Sequence, residues 1–206
     1  MNKKPLCIAT RNTHKALELA PVLAPFWEVK CSADYPEMAE LEDIAETGDT
    51  FQANATLKAV ATSQVISDYV LADDSGLECD ALLSAPGVFS ARYGGIPSSA
   101  EKNNAKLLEE LARVGATTPE QRRARFRCVL VLAKKGQVLG SFDGACEGTI
   151  TSGPKGTNGF GYDPLFVPDG YKQSFGQLSE KTKGNLSHRA LALRKFVAWC
   201  KENPLD

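Results

Sequence analysis

The chain has 206 residues, of which 43% are hydrophobic and 24% charged, and it carries a net charge of -1. That length holds one sizeable core and leaves little room for a second independent domain. A near-neutral balance denies the protein the broad basic field that would hold duplex nucleic acid, so an anionic partner must be gripped by a local cluster of Lys and Arg.

Residues 6–10 read as a buried strand that turns at Arg11-Asn12. A helix is predicted next, because Ala16, Leu19, Ala20 and Leu23 recur at helical spacing and Pro25 lies just past its end. Residues 27–31 form a second strand, and the acidic, weakly patterned stretch 34–49 a loop. Residues 50–66 are helical, with Phe51, Ala55, Ala59, Val65 and Ile66 on the buried side. Tyr69-Val70-Leu71-Ala72 is a short strand that delivers Asp73-Asp74-Ser75-Gly76 at its C-terminal end. A capping box, Ser98-x-x-Glu101, opens a helix carrying Leu107, Leu108, Leu111 and Val114. Residues 126–133 and 138–142 flank Lys134-Lys135-Gly136-Gln137 as a hairpin with a solvated tip. A glycine-rich loop spans 153–161, and a last helix spans 187–201 with Ala190, Leu193, Val197 and Cys200 on one face. Early alternation of strands and helices followed by a hairpin predicts an α/β (α+β mixed) fold with a mixed sheet, as one domain over 1–206.

None of the six cysteines falls in a CxxC pair and there are only two histidines, so a zinc site is not expected, and the cysteines' mostly apolar surroundings suit small buried side chains in a reducing compartment. Met1-Asn2-Lys3-Lys4-Pro5 leads into too few apolar residues for a signal peptide, and no apolar run is long enough to cross a bilayer. The expectation is a cytoplasmic chain with no membrane or nucleic-acid partner.

Five segments can carry chemistry. Thr10-Arg11-Asn12-Thr13-His14-Lys15 joins a strand to a helix, where unpaired N–H groups favour an anion; the alternative is a plain N-cap by Asn12 with an exposed lysine. Glu46-Thr47-Gly48 precedes a helix on which Asn54 and Lys58 share a face, so a carboxylate and a lysine are available to one metal–phosphate complex; otherwise Glu46 is one acid in an acidic loop. Asp73 and Asp74 repel unless a cation neutralises them, and magnesium favours such hard oxygen ligands; an Asx-type turn is the competing reading. In Gly159-Phe160-Gly161-Tyr162-Asp163-Pro164, the glycines permit close approach and Phe160 or Tyr162 offers a flat face to a base. Lys183, His188 and Arg189 supply donors at the start of the last helix. No nucleophile elbow accompanies either histidine.

In this order the segments resemble the inosine/xanthosine triphosphate pyrophosphatase family. The matching stretches are Thr10-x-Asn12-x-x-Lys15, Glu46-Thr47-Gly48-x-Thr50-Phe51-x-x-Asn54-Ala55, Ala72-Asp73-Asp74-Ser75-Gly76-Leu77, Ala85-Pro86-Gly87-Val88-Phe89-Ser90-Ala91-Arg92-Tyr93, Gly159-Phe160-Gly161-Tyr162-Asp163-Pro164-Leu165-Phe166 and Ser187-His188-Arg189-Ala190. The resemblance implies a homodimer built on a long mixed β-sheet flanked by helices, with two lobes and a central substrate cleft. It implies Mg2+-dependent hydrolysis of deaminated purine nucleoside triphosphates to the monophosphate and pyrophosphate. By the same resemblance Thr10 to Lys15 hold the phosphates, with Arg11, Thr13 and His14 in slots that the pattern leaves free and Lys58 nearby. Glu46 and Asp74 take the metal with Asp73 close by, and Asp74 accepts the proton. Ser75, Phe160, Gly161, Tyr162 and Asp163 touch the substrate, and Lys183, His188 and Arg189 complete the nucleotide pocket. A non-catalytic purine nucleotide sensor, or an enzyme for a modified pyrimidine triphosphate, would use the same residues.

Overall fold

The computed structural model describes residues 3–10, 12–39 and 44–205. Strand β1 (Lys4–Ala9) buries Leu6, Cys7, Ile8 and Ala9 consecutively, as a parallel strand with neighbours on both sides should. Asn12 caps α1 (Thr13–Leu23), accepting from the His14 and Lys15 N–H groups at 3.0 and 3.4 Å. Strand β2 (Trp27–Cys31) runs parallel to β1, from Lys4 opposite Trp27 to Ile8 opposite Cys31. Part of the expected 34–49 loop is instead two short 3-10 turns, Ser32–Asp34 and Pro36–Ala39. Thr50 caps α2 (Phe51–Val65), which buries Phe51, Ala55 and Ala59 as expected. Val65 does not join them: it is 39% exposed, because the chain leaves the helix there and extended Ile66 takes the buried place.

The largest departure comes next. Strand β3 (Tyr69–Cys79) has 11 residues, so Asp73-Asp74-Ser75-Gly76 lie inside it and not beyond its end. Its pairing with β1 stops at Ala9 opposite Ala72, and the strand continues beside β4 (Arg123–Lys134). The sequence pattern located the end of β1, not the end of β3. A second correction concerns α3 (Ala100–Arg113): its cap is Ser99, which accepts from Lys102, while Ser98 donates to the Ala91 carbonyl. Val114, at the other end, is 44% exposed and lies outside the helix.

Strand β4 and β5 (Gln137–Ile150) extend the predicted hairpin in both directions. Arg123, Arg125 and Arg127 alternate with buried Ala124, Phe126 and Cys128, a period of two hidden by the arginines' charge. Lys135 and Gly136 carry φ of 51° and 76°, the doubly left-handed pair that a two-residue hairpin turn needs. The tip is less solvated than expected, since the Lys134 ammonium sits 3.9 Å from the centre of the Tyr69 ring. The edge strand β6 (Phe166–Pro168) pairs antiparallel with β5. Helix α4 (Glu180–Leu186) was not legible, being short and without apolar periodicity; α5 (His188–Glu202) follows it. On α5 Ala190 and Leu193 are buried as expected, together with Ala192 and Phe196, while Val197 and Cys200 are only partly buried.

The sheet order is β2-β1-β3-β4-β5-β6, so the mixed α/β architecture expected from the sequence is observed. The chain divides into two compact units. One comprises Met1–Asp74, Cys128–Gly144 and Leu191–Asp206, the other Ser75–Arg127 and Ala145–Ala190. The first packs Leu6, Ile8, Leu19, Leu71, Leu130 and Phe196 around Trp27, which meets Tyr69 edge-on at 5.6 Å. The second packs Leu77, Leu107, Leu111 and Tyr162 with the aromatic group Phe126, Phe166 and Phe175. Among the described residues no helix is long and apolar enough to cross a membrane.

Candidate active site

In the first unit, a loop, two helices and a strand bring acids and lysines together. Gly48 N–H donates to Asn54 Oδ1 at 2.8 Å, and Lys58 Nζ donates to Glu46 Oε1 at 2.6 Å. The 46–48 loop is thereby folded back on α2, and Glu46 is set by the helix that follows it. A Cβ on Gly48 would lie 2.6 Å from Ala53 Cβ and 2.8 Å from Asn54 Oδ1, so only glycine fits. Gly48→Ala is expected to destabilise the protein by about 1–3 kcal/mol through overpacking, read as a lower melting temperature.

Lys58 Nζ also donates to the Asp73 carbonyl at 2.7 Å and lies 3.7 Å from Asp74 Oδ1. Lys15, from the first turn of α1, pairs with Asp73 Oδ1, while the Cys128 thiol on β4 stands 3.0 Å from Asp73 Oδ2. Asp73 and Asp74 are buried, at 1% and 6% exposure. Successive strand residues face opposite ways, which separates Asp73, held by Lys15 and Cys128, from Asp74, turned toward Lys58 and Glu46.

The electrostatics follow from that crowding. Burial pushes the Asp74 carboxyl above its ordinary value; Lys58 pulls it down, Glu46 pushes it up, and Lys15 and Asp73 act likewise in opposite senses. Burial opposes the Lys58 charge, yet Asp74, Glu46 and Asp73 together outweigh it and hold the ammonium above the usual lysine value. The pair is therefore unequal, because Lys58 faces several acids whereas Asp74 has other carboxylates beside it. A hard divalent cation fits this donor set. Among the described residues no group of three or more His, Cys, Asp or Glu side chains is placed to enclose an ion. An ion placed between Glu46 and Asp74 would find two carboxylates there and would need water or other oxygens for the rest of its shell.

In the second unit, Asp163 organises the glycine-rich loop. Its Oδ2 accepts from the Phe160 N–H and from Lys183 Nζ, both at 2.7 Å. Gly159, at φ 74°, makes this possible, since a Cβ there would stand 2.0 Å from the same oxygen. The Phe160 ring is half-buried, with Lys183 Nζ 4.8 Å and the Arg189 guanidinium 5.9 Å from its centre. Tyr162 offers no such face, which corrects the sequence expectation: its ring is in the core and its hydroxyl donates to the Ser90 carbonyl at 2.8 Å. Arg189 Nη2 donates to Ser75 Oγ at 2.9 Å, and His188 stacks on Phe126 at 4.8 Å. Arg189 and His188 are buried, at 2% and 5% exposure.

Thr10 Oγ1 accepts from the Asn12 N–H at 3.1 Å, and Thr13 and His14 are exposed in the first turn of α1. Lys15 is not the exposed lysine of the plain-cap alternative, since its side chain is only 14% exposed. Arg11 lies outside the described residues. Two contributors lie outside the five sequence segments. Cys128 reads as an ordinary strand cysteine, and Asn104, which donates to the Gly161 carbonyl at 3.1 Å, reads as a polar helix position. Neither carries a local signal. Burial pushes the Cys7, Cys79 and Cys146 thiols up to about 12, which disfavours the thiolate these groups would need as nucleophiles.

A sequence model described as the Ham1 family matches residues 6–199, a span that contains every one of these side chains. The chain belongs to the Ham1 family. Relatives of this Ham1-family chain include the "dITP/XTP pyrophosphatase" of Lactococcus lactis, 46% identical over 95% of this chain and 96% of the relative. That of Desulforamulus reducens is 45% identical over 93% of each. Among solved structures, the Staphylococcus aureus Ham1 protein superposes with a TM-score of 0.85 at 38% identity, covering 97% of this chain and 99% of the other. A HAM1 protein from Coxiella burnetii gives 0.85 at 34% identity over the same shares. The resemblance read from the ordered motifs holds for the family.

Proposed function

We propose that the chain is a nucleoside triphosphate pyrophosphatase that cleaves dITP, ITP and XTP between the α and β phosphates, with Mg2+ as cofactor. The products are the nucleoside monophosphate and pyrophosphate, and the role is to keep deaminated purines out of DNA and RNA. The observation that carries the reading is the set of Glu46, Asp73 and Asp74 around Lys15 and Lys58, in a family whose relatives bear the name dITP/XTP pyrophosphatase.

Magnesium commonly uses one or two carboxylates and leaves the rest of its shell to water and phosphates, a habit that suits Glu46 and Asp74. Bound there, it would neutralise phosphate charge and make a coordinated water more acidic. Lys15 and Lys58 counter the charge of the triphosphate and of the departing pyrophosphate. Thr10, Asn12, Thr13 and His14 belong to the same phosphate-binding turn, and the sequence assigns Arg11, outside the described residues, to the same role. Asp74 orients the attacking water and takes its proton.

Recognition of the base falls to Ser75, Phe160, Gly161, Asp163, Lys183, His188 and Arg189. Stacking on Phe160 contributes about 1–3 kcal/mol with little selectivity. Asp163 and Lys183 hold the loop that presents the ring. Hypoxanthine and xanthine offer a 6-keto acceptor where adenine has an amino donor. Donors from Arg189 and His188 therefore leave adenine mismatched, a discrimination of about 10⁴-fold or more when a buried site enforces it.

The test is product analysis with dITP or XTP and Mg2+, followed by kcat/KM across inosine, xanthosine, guanosine, adenosine and pyrimidine triphosphates. Pyrophosphate and monophosphate are expected, with the inosine and xanthosine substrates far ahead of adenosine. Orthophosphate with the diphosphate would remove the reaction assignment, and equal values for inosine and adenosine would remove the donor argument. The chain acts as one domain over 1–206 in the cytoplasm, and as a homodimer. Exposed apolar side chains support the last point: Phe89 at 58% and Ile96 at 87% line one surface hollow, and Leu83 is 95% exposed. Light scattering should return twice the 22.2 kDa chain mass.

A further inference from the structure

We propose that Cys128 is a positioning residue for the phosphate-binding lysine, acting through Asp73. This rests on the pyrophosphatase reading for its functional consequence, though not for its geometry.

Cys128 is fully buried on β4, the neighbour of β3 in the sheet, and packs with Leu130 and Leu132 in the core of the first unit. Its Sγ stands 3.0 Å from Asp73 Oδ2. The other carboxylate oxygen, Oδ1, pairs with Lys15, and the Asp73 main-chain carbonyl accepts from Lys58 at 2.7 Å. One residue thus touches both ammonium groups assigned to the triphosphate. A carboxylate can swing about its last bond, and a partner on each oxygen stops it. The thiol proton on Oδ2 turns Oδ1 toward the first turn of α1, which sets where the Lys15 ammonium rests before substrate arrives. Lys15 opposes the dipole of its own helix there, so its location depends on Asp73 more than on the helix. Preorganised charge of this kind assists only while it stays in place.

A purely packing role predicts something different. In that case activity would follow volume and stability, and a valine of similar size would serve as well as the cysteine. A positioning role requires a donor, which serine keeps and valine lacks. The experiment compares wild type with Cys128→Ser, Cys128→Val and Cys128→Ala by two readouts. The first is kcat and KM for dITP with Mg2+. The second is the rate at which acetic anhydride labels Lys15 in metal-free, nucleotide-free protein, followed by mass spectrometry. Loss of the donor is expected to lower kcat/KM by about tenfold in the valine and alanine variants, the scale of one hydrogen bond to a charged group. Lys15 labelling should speed up by about the same factor in those two variants. Serine should stay within about threefold of wild type on both readouts, even though a hydroxyl on an apolar strand face lowers its melting temperature.

Equal behaviour of serine and valine, in turnover and in labelling, would overturn the proposal. Should wild type itself fail to cleave dITP, the pyrophosphatase reading falls, while the labelling rates still decide whether the thiol positions Lys15. A variant too unstable to assay leaves the other donor-free variant to make the comparison.

Discussion

Asp74→Asn should lower kcat for dITP by a factor on the order of 10²–10⁴, the usual contribution of a positioned proton acceptor. Nucleotide should still bind, because Lys15 and Lys58 keep their other partners. In metal-free protein the same substitution should raise the melting temperature at neutral pH. Burial and the neighbouring Glu46 and Asp73 place the folded-state pKa of Asp74 above its unfolded value. A carboxyl shifted in that direction stabilises the fold in its protonated form, and this contribution is lost as pH rises through the raised value. At neutral pH the wild type therefore bears the cost of an ionised, crowded carboxylate that asparagine removes. Lowering the pH toward the ordinary aspartate range should close the gap in melting temperature between the two proteins. Unchanged turnover would dismiss Asp74 as the base, and a lower melting temperature in the variant at neutral pH would dismiss the crowding argument. Tight binding by a wild type without turnover would favour the sensor reading.

The largest stability effect is expected from Asp163→Ala. Asp163 and Lys183 are buried, with 3% and 8% of their side chains exposed, and removing one partner strands the other's charge in an apolar setting. The expected cost is about 3–5 kcal/mol, which for a chain of this size lowers the melting temperature by on the order of 10 °C. The Phe160 N–H loses its acceptor as well, so the loop that carries the aromatic ring should loosen and KM should rise with the fall in stability. Lys183→Met added to Asp163→Ala should recover part of the loss, because the stranded ammonium is then gone. Full additivity of the two losses in calorimetry would show that the pair does not act as a unit.

Much of the fold was legible because its signals are local. Asn12 and Thr50 are side chains that cap, Lys135-Gly136 is a turn that only certain residues enter easily, and 6–9 is a run with no polar interruption. The errors share a cause: polarity was read as the end of an element where tertiary contacts satisfied it. Asp73 and Asp74 suggested a loop because free carboxylates end strands, but Lys15, Lys58 and Cys128 supply partners that no short stretch of sequence reveals. Arg125 hid the start of β4 for the same reason, since Glu147 and Asp80 hold its guanidinium from elsewhere in the chain. In the candidate site, residue types and order were readable, whereas the division of labour was not. Nothing in the one-dimensional pattern says that Tyr162 is committed to the core while Phe160, two residues earlier, is not.

Because Asp73-Asp74-Ser75-Gly76 belong to a continuous strand, the segment is intolerant of changes in length to a degree that a loop would not be. Side-chain direction in a strand has a parity, and gaining or losing one residue between 69 and 79 reverses it for everything downstream. With the change placed before Asp73, the carboxylate now turned toward Glu46 would trade sides with the one now beside the thiol, and Leu77 and Cys79 would leave the interior together. Single substitutions here alter one function at a time. An insertion or deletion would scramble chemistry and packing in one event, so related chains should hold the length of this strand as firmly as its motif.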